Sequence, residues 1–173
     1  MDINILSLDR WLHIVSGVAW IGLLYYFNFV QVPAMAAAAA DKDGPGPAAI
    51  GKYVAPRALL WFRWAALVTW LSGAAYLLKN GHFIGAFTLG VAADGGQLYL
   101  ATIGMGAWLG TIMLFNVWVL IWPNQKKVLG MVSATDAEKA TAKRTAFLAS
   151  RTNTLLSIPM LMLMGSAAHG LPF

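Results

Sequence analysis

The chain contains no cysteine, which removes disulfides, iron–sulfur clusters and thiol catalysis from consideration. Charge is scarce as well: 11% of the 173 residues are Asp, Glu, Lys or Arg, against about 25% in soluble domains. All of the acidic residues, Asp2, Asp9, Asp41, Asp43, Asp94, Asp136 and Glu138, fall outside the long apolar runs. A membrane-buried relay of carboxylates, and a transporter driven by one, is therefore disfavoured. No Ser-His-Asp order, phosphate loop or CxxC appears, so hydrolase, nucleotide and dithiol chemistries lack their parts. The net charge of +5 comes from basic residues scattered between apolar segments. With no continuous basic patch, no nucleic-acid partner is expected.

What remains is apolar. Hydrophobic residues make up 59% of the chain, with eight Trp, eight Phe and five Tyr suited to interfacial belts and lipid-facing packing. Four segments are long enough to cross a bilayer: Trp11 to Val32, Leu59 to Leu78, Leu98 to Trp122 and Thr152 to Ala168. Asp9 or Ser7 is positioned to cap the first, and Pro33 is read as its end. The first span follows two aspartates instead of a positive cluster and is read as a retained helix, not a cleaved leader. Pro56 and Arg57 precede the second span, Lys79, Asn80 and Gly81 follow it, and Pro123 closes the third. Pro159 should bend the fourth.

Between the spans, Met35 to Gly51 reads as an Ala-, Gly- and Pro-rich loop with a short Ala helix at Ala36 to Ala40. Gly81 to Gln97 is apolar but too short to cross, and is read as interfacial. The stretch from Ser133 to Arg144 carries capping and helix-forming residues, so a surface helix is expected before the last span. No internal repeat is found. The expected architecture is all-α: one transmembrane domain over the whole chain, built as a four-helix bundle.

Basic residues orient it. Lys42, Lys52, Arg57, Lys126, Lys127, Lys139, Lys143, Arg144 and Arg151 flank one side, and only Arg10 and Lys79 flank the other. The positive-inside rule makes the first side cytoplasmic and places both termini outside, in the periplasm of a bacterial inner membrane.

That threading puts His13, His82 and His169 on the outer side. Haem iron needs axial ligands on opposite faces of a flat ring, so ligands from different helices must meet at one depth. His13, about one turn into the first span, and His169, at the end of the fourth, satisfy that requirement. The plainer reading is that one is an interfacial histidine satisfying a carbonyl and the other a terminal residue. His82 is a third candidate or an ordinary loop residue, and copper held by the three histidines and a methionine is an alternative to haem. Gly17, with Ser16 and Gly22, opens space beside His13. Met105, Met160, Met162 and Met164 are thioether candidates or packing residues, and Gly106 to Gly110 is read as a helix-packing face.

A second polar group lies at the cytoplasmic ends: Asn28, Gln31, Arg63, Asn116, Gln125, Arg151 and Asn153. Arg63, between Trp61 and Trp64, either snorkels to the headgroups or binds an anion such as a haem propionate or a quinone oxygen, with Asn28 and Asn116 as neighbours.

Four stretches carry a resemblance. They are RWLHIVSGVAWIG from Arg10 to Gly22, WFRW from Trp61 to Trp64 with TWLSG from Thr69 to Gly73, FNVWVLIWPNQKK from Phe115 to Lys127, and SRTNTLLSIP from Ser150 to Pro159. In this order they resemble the membrane-embedded N-terminal region of bacterial urate oxidases fused to cytochrome c. More distantly, the first span is similar to copper-resistance D proteins and the membrane-type protoporphyrinogen oxidase, in which a histidine of that helix is associated with haem or metal. The resemblance implies a helical membrane domain that passes electrons to a cytochrome c. Where the fused enzymes are expected to read Arg-His-Asn this chain reads Arg151, Thr152, Asn153, so one potential family ligand is absent. No CxxCH haem-attachment motif is present either.

Two functional expectations follow. One is a haem b protein holding its cofactor near the periplasmic face through His13 and His169 and exchanging electrons with a cytochrome c-like partner or a respiratory complex. The other is a cofactor-free accessory subunit packed into a larger membrane complex. A homo-oligomer is compatible with both. Urate oxidation is not expected of this short, standalone relative by itself.

Overall fold

A computed structural model describes residues 4–91, 97–167 and 169–170. The described residues are all-helical, without strands: α1 (Ile5–Tyr25), α2 (Val32–Ala40), α3 (Ala55–Lys79), α4 (Phe83–Phe87), α5 (Leu98–Phe115), α6 (Trp122–Val128) and α7 (Asp136–Ser166). Several of these fuse end to end. Three continuous rods result, Ile5–Ala40, Ile50–Lys79 and Leu98–Val128, of 36, 30 and 31 residues, each apolar enough to cross a membrane. At about 1.5 Å per residue, all exceed the roughly 30 Å of a hydrocarbon core.

The rods run further than the prolines suggest, and the reason is local. The segments Tyr26–Gln31, Ile50–Val54 and Asn116–Ile121 are π-helical, and each ends two residues before a proline: Pro33, Pro56 and Pro123. A proline has no N–H to donate, and its ring crowds the carbonyl four residues earlier. Widening the helix relieves that crowding without stopping it. The N–H groups of Val32, Ala55 and Trp122 accordingly reach back five residues, to the carbonyls of Phe27, Ile50 and Val117. Pro33, Pro56 and Pro123 are therefore wide points within the rods, not stops.

Two further expectations change. Asn4, not Asp9 or Ser7, caps α1, accepting the Ser7 N–H at 3.1 Å. The surface helix and the last apolar segment form one helix, α7, because nothing between Asp136 and Ile158 breaks helix and Pro159 lies inside it. Thr135 and Glu138 start it with a reciprocal capping box. The expected end of the fourth span, Ala168, lies outside the described residues. The linker after α3 holds α4, too short to span, as expected. Trp108 donates to the Phe87 carbonyl at 3.1 Å. α4 lies so close to α5 that a Cβ at Gly104 would fall 1.9 Å from the Ala86 oxygen.

α1 packs chiefly on α3 and α5 on α7, with lighter seams joining the two pairs. The core sits around the first and third π segments: Leu24, Phe27, Phe62, Met113, Val117 and Ile121 are buried there with Ala149 and Met160 of α7. Phe27 meets Phe62 edge to face at 5.4 Å. The outward faces are apolar, as lipid contact requires: Val18, Leu71, Leu155 and Ile158 are among many exposed large hydrophobic side chains. The second half of α7 turns polar residues inward and apolar residues outward. Asn153, Thr154 and Ser157 are buried while Leu155, Ile158 and Leu161 are exposed, the reverse of a soluble helix.

Candidate functional site

His13 lies on the face of α1 that packs against α3. Its Nδ1 is 2.8 Å from the Thr69 carbonyl oxygen. A carbonyl only accepts, so Nδ1 carries the proton and donates it, and in the neutral ring Nε2 keeps a free lone pair. Metal-ligating histidines are oriented in this way, one ring nitrogen fixed by a carbonyl and the other left for the metal. Gly73, one turn after Thr69, makes room for the ring. A Cβ there would stand 2.9 Å from both Cε1 and Nδ1 of His13. Thr69 and Ser72 turn their hydroxyls onto their own helix, at Ala65 and Val68, so neither competes for Nε2. Ser16 likewise donates to the Leu12 carbonyl at 2.6 Å. One turn before His13, Asp9 pairs with Lys79 at the end of α3. Gly17 faces α3 as well, with the Thr69 methyl at ordinary contact distance from where a Cβ would be.

The other two histidines stand apart from this seam. His82 caps the start of α4 and its ring meets Tyr99 edge to face at 5.6 Å. His169 is exposed in a turn beyond α7, its N–H donating to the Ser166 carbonyl. Helix order puts all three at the same end of the bundle, but no group of three potential metal ligands forms among the described residues. Met164 packs over Gly106 and Met160 is buried in the core.

The second polar group divides in two. Asn28, in the first π segment, donates to the Leu24 carbonyl at 2.9 Å and to Ser150 Oγ of α7 at 2.8 Å. Asn116, opening the third π segment, donates to Asn153 Oδ1 at 2.8 Å, and Asn153 donates on to the Met113 carbonyl at 3.0 Å. Tyr25 and Ser157 hydroxyls pair at 2.9 Å. Ser150, Asn153 and Ser157 are spaced i, i+3, i+7, so α7 offers one polar stripe to both neighbours. Arg63 does not join the asparagines. Its guanidinium carbon sits 3.7 Å from the centre of the Trp122 ring, a stacking partner the sequence reading did not anticipate. Sequence reasoning also missed Thr69 and Gly73, whose only signal was their place in the TWLSG stretch.

A groove of about 480 Å³ between α3 and α5 is lined by Leu67, Trp70, Leu71, Thr111, Leu114, Phe115 and Trp118, and contains none of the histidines. Trp70 Nε1 spans it to Thr111 Oγ1 at 2.9 Å.

The family model described as urate oxidase N-terminal matches residues 2–92 and 96–173. The chain belongs to that family, as the four sequence stretches suggested. No curated protein and no solved structure gives a match.

Proposed function

We propose that this member of the urate oxidase N-terminal family is a membrane redox module that binds haem b near the end of the bundle where α1 begins, with His13 as the residue that would hold the iron. The observation that carries the reading is the fixed His13 ring: Nδ1 tied to the Thr69 carbonyl, the ring seated over Gly73, and Nε2 without a hydrogen-bond partner among the described residues. This donor fits ferrous or ferric iron better than copper, since one imidazole without a thiolate or a second clustered histidine is a weak copper set. His169 would supply a second ligand in this reading. It is carried on the chain just past α7, at the end of the bundle to which His13 belongs.

Bound haem would supply one-electron transfer. The protein's part is to hold His13 in one tautomer, to keep its ring from rotating, and to exclude water with the apolar faces of α1 and α3. Spanning by the last half of α7 completes a four-helix bundle, supported by its apolar outward face at Leu155, Ile158 and Leu161. With the basic loops cytoplasmic, both termini and the haem face the periplasm of a bacterial inner membrane, within reach of a cytochrome c-like partner. The family name makes urate oxidation the associated reaction of the larger system.

The test is a reduced-minus-oxidised absorption spectrum of the purified wild type, with His13→Ala and His169→Ala variants beside it. A b-type spectrum lost in His13→Ala supports the reading. A folded, colourless wild type sinks it and favours the accessory-subunit alternative, for which co-purification of a larger complex in mild detergent is the positive sign.

A further inference from the structure

Two cations converge on one indole at the basic end of the bundle. The Arg63 guanidinium lies 3.7 Å from the Trp122 ring centre, and Lys126 Nζ lies 5.9 Å from the same centre. The two come from different rods, Arg63 from near the middle of the second and Lys126 from the end of the third. Both are half-buried. The ion pairs among the described residues are Lys79 with Asp9 and Lys139 with Asp136, so neither Arg63 nor Lys126 has an acidic partner. Lys127 differs from its neighbour: it lies close enough to Glu138 to help hold that carboxyl below its usual range. Like charges gathered on one ring, without a carboxylate between them, repel unless an anion joins them. Stacking on Trp122 holds Arg63 by its flat face, and the N–H donors lie along the guanidinium edge. Trp61 and Trp64 flank Arg63 and are exposed, as residues at headgroup depth are.

We propose that Arg63, Lys126 and Trp122 form a binding site for the phosphate of an anionic phospholipid, such as phosphatidylglycerol, wedged between the second and third rods. The phosphodiester bridges the guanidinium and the ammonium, and the acyl chains run along the apolar surface of the rods. The site is independent of any haem bound at the other end.

Native mass spectrometry of the delipidated full-length protein tests it, with phosphatidylglycerol and phosphatidylcholine of identical acyl chains added in equal amounts. Phosphatidylglycerol is expected to be retained preferentially. Arg63→Gln and Lys126→Gln should each weaken that preference roughly fivefold, and Lys42→Gln, in a loop of the same side, should leave it unchanged. Lys126→Gln alters a residue near the surface, so the test stands even where Arg63→Gln folds poorly. Equal retention of the two lipids overturns the proposal. So does a loss in Lys42→Gln equal to that in Lys126→Gln, which would mean diffuse attraction, or displacement of the lipid by inorganic phosphate that binds in its place, which would assign the site to a free anion.

Discussion

The two ends of the bundle treat buried polar groups in opposite ways. At the basic end Asn28, Ser150, Asn116 and Asn153 bond to one another or to carbonyls across the first rod, the third rod and α7, beside a core of large side chains. At the other end the α1/α3 seam is made from small residues, Ser16, Gly17, Thr69, Ser72 and Gly73, and His13 is tied by one ring nitrogen only. Mutual pairing locks helices together. A ring held at one atom and free at the other is instead suited to take a ligand. The contrast separates polar groups that pair with one another from a histidine held through one ring nitrogen, although both are visible as polar residues in apolar segments.

Substitutions at the two ends should therefore fail differently. The largest effect on stability is expected for Asn153→Leu, which strands the Asn116 side-chain amide in the interior and removes a donor from the Met113 carbonyl. A loss of about 2 kcal/mol should appear as a lower Tm in detergent, and an unchanged Tm would break the contrast. Gly73→Ala comes next, because the added methyl forces the His13 ring off Thr69 at a cost of about 1 kcal/mol. Here the signature is functional: haem content should fall much further than Tm, and a parallel fall of the two would make His13 merely structural. Tyr25→Phe removes only the bond to Ser157, and about 0.6 kcal/mol is expected from a single interhelical hydrogen bond in a membrane, with haem content unaffected.

The smallest effect concerns neither end of the membrane part but the start of α7. The Thr135 N–H and hydroxyl hold the Glu138 carboxyl below its ordinary range. A depressed carboxylate stabilises the fold above its unfolded pKa, and that contribution disappears as pH falls through the folded value. Wild type should therefore melt slightly above Glu138→Gln at neutral pH, with the gap closing below about pH 4. A gap that widens on acidification would contradict the capping geometry.

Much of this arrangement is legible in the chain itself. Three apolar runs announce their rods, and the asparagines and histidines sort to opposite ends by threading alone. The prolines mislead, since the usual rule that proline stops a helix ignores the five-residue bonding that Pro33, Pro56 and Pro123 induce. α7 is harder to read because its buried stripe is polar: Asn153, Thr154 and Ser157 dilute a segment whose outward side carries Leu155, Ile158 and Leu161. His13 stands out as a histidine at a span entrance, but what fixes its ring is a backbone carbonyl 56 residues away. Carbonyls leave no mark in a sequence, and neither does the meeting of Arg63 with Trp122 from separate rods.

Electron paramagnetic resonance of the oxidised protein, wild type against His13→Met, asks directly whether the free Nε2 binds iron. If His13 holds the iron, replacing its imidazole by a thioether would change the haem signal while a signal remains. An identical haem signal in wild type and His13→Met would contradict ligation by His13.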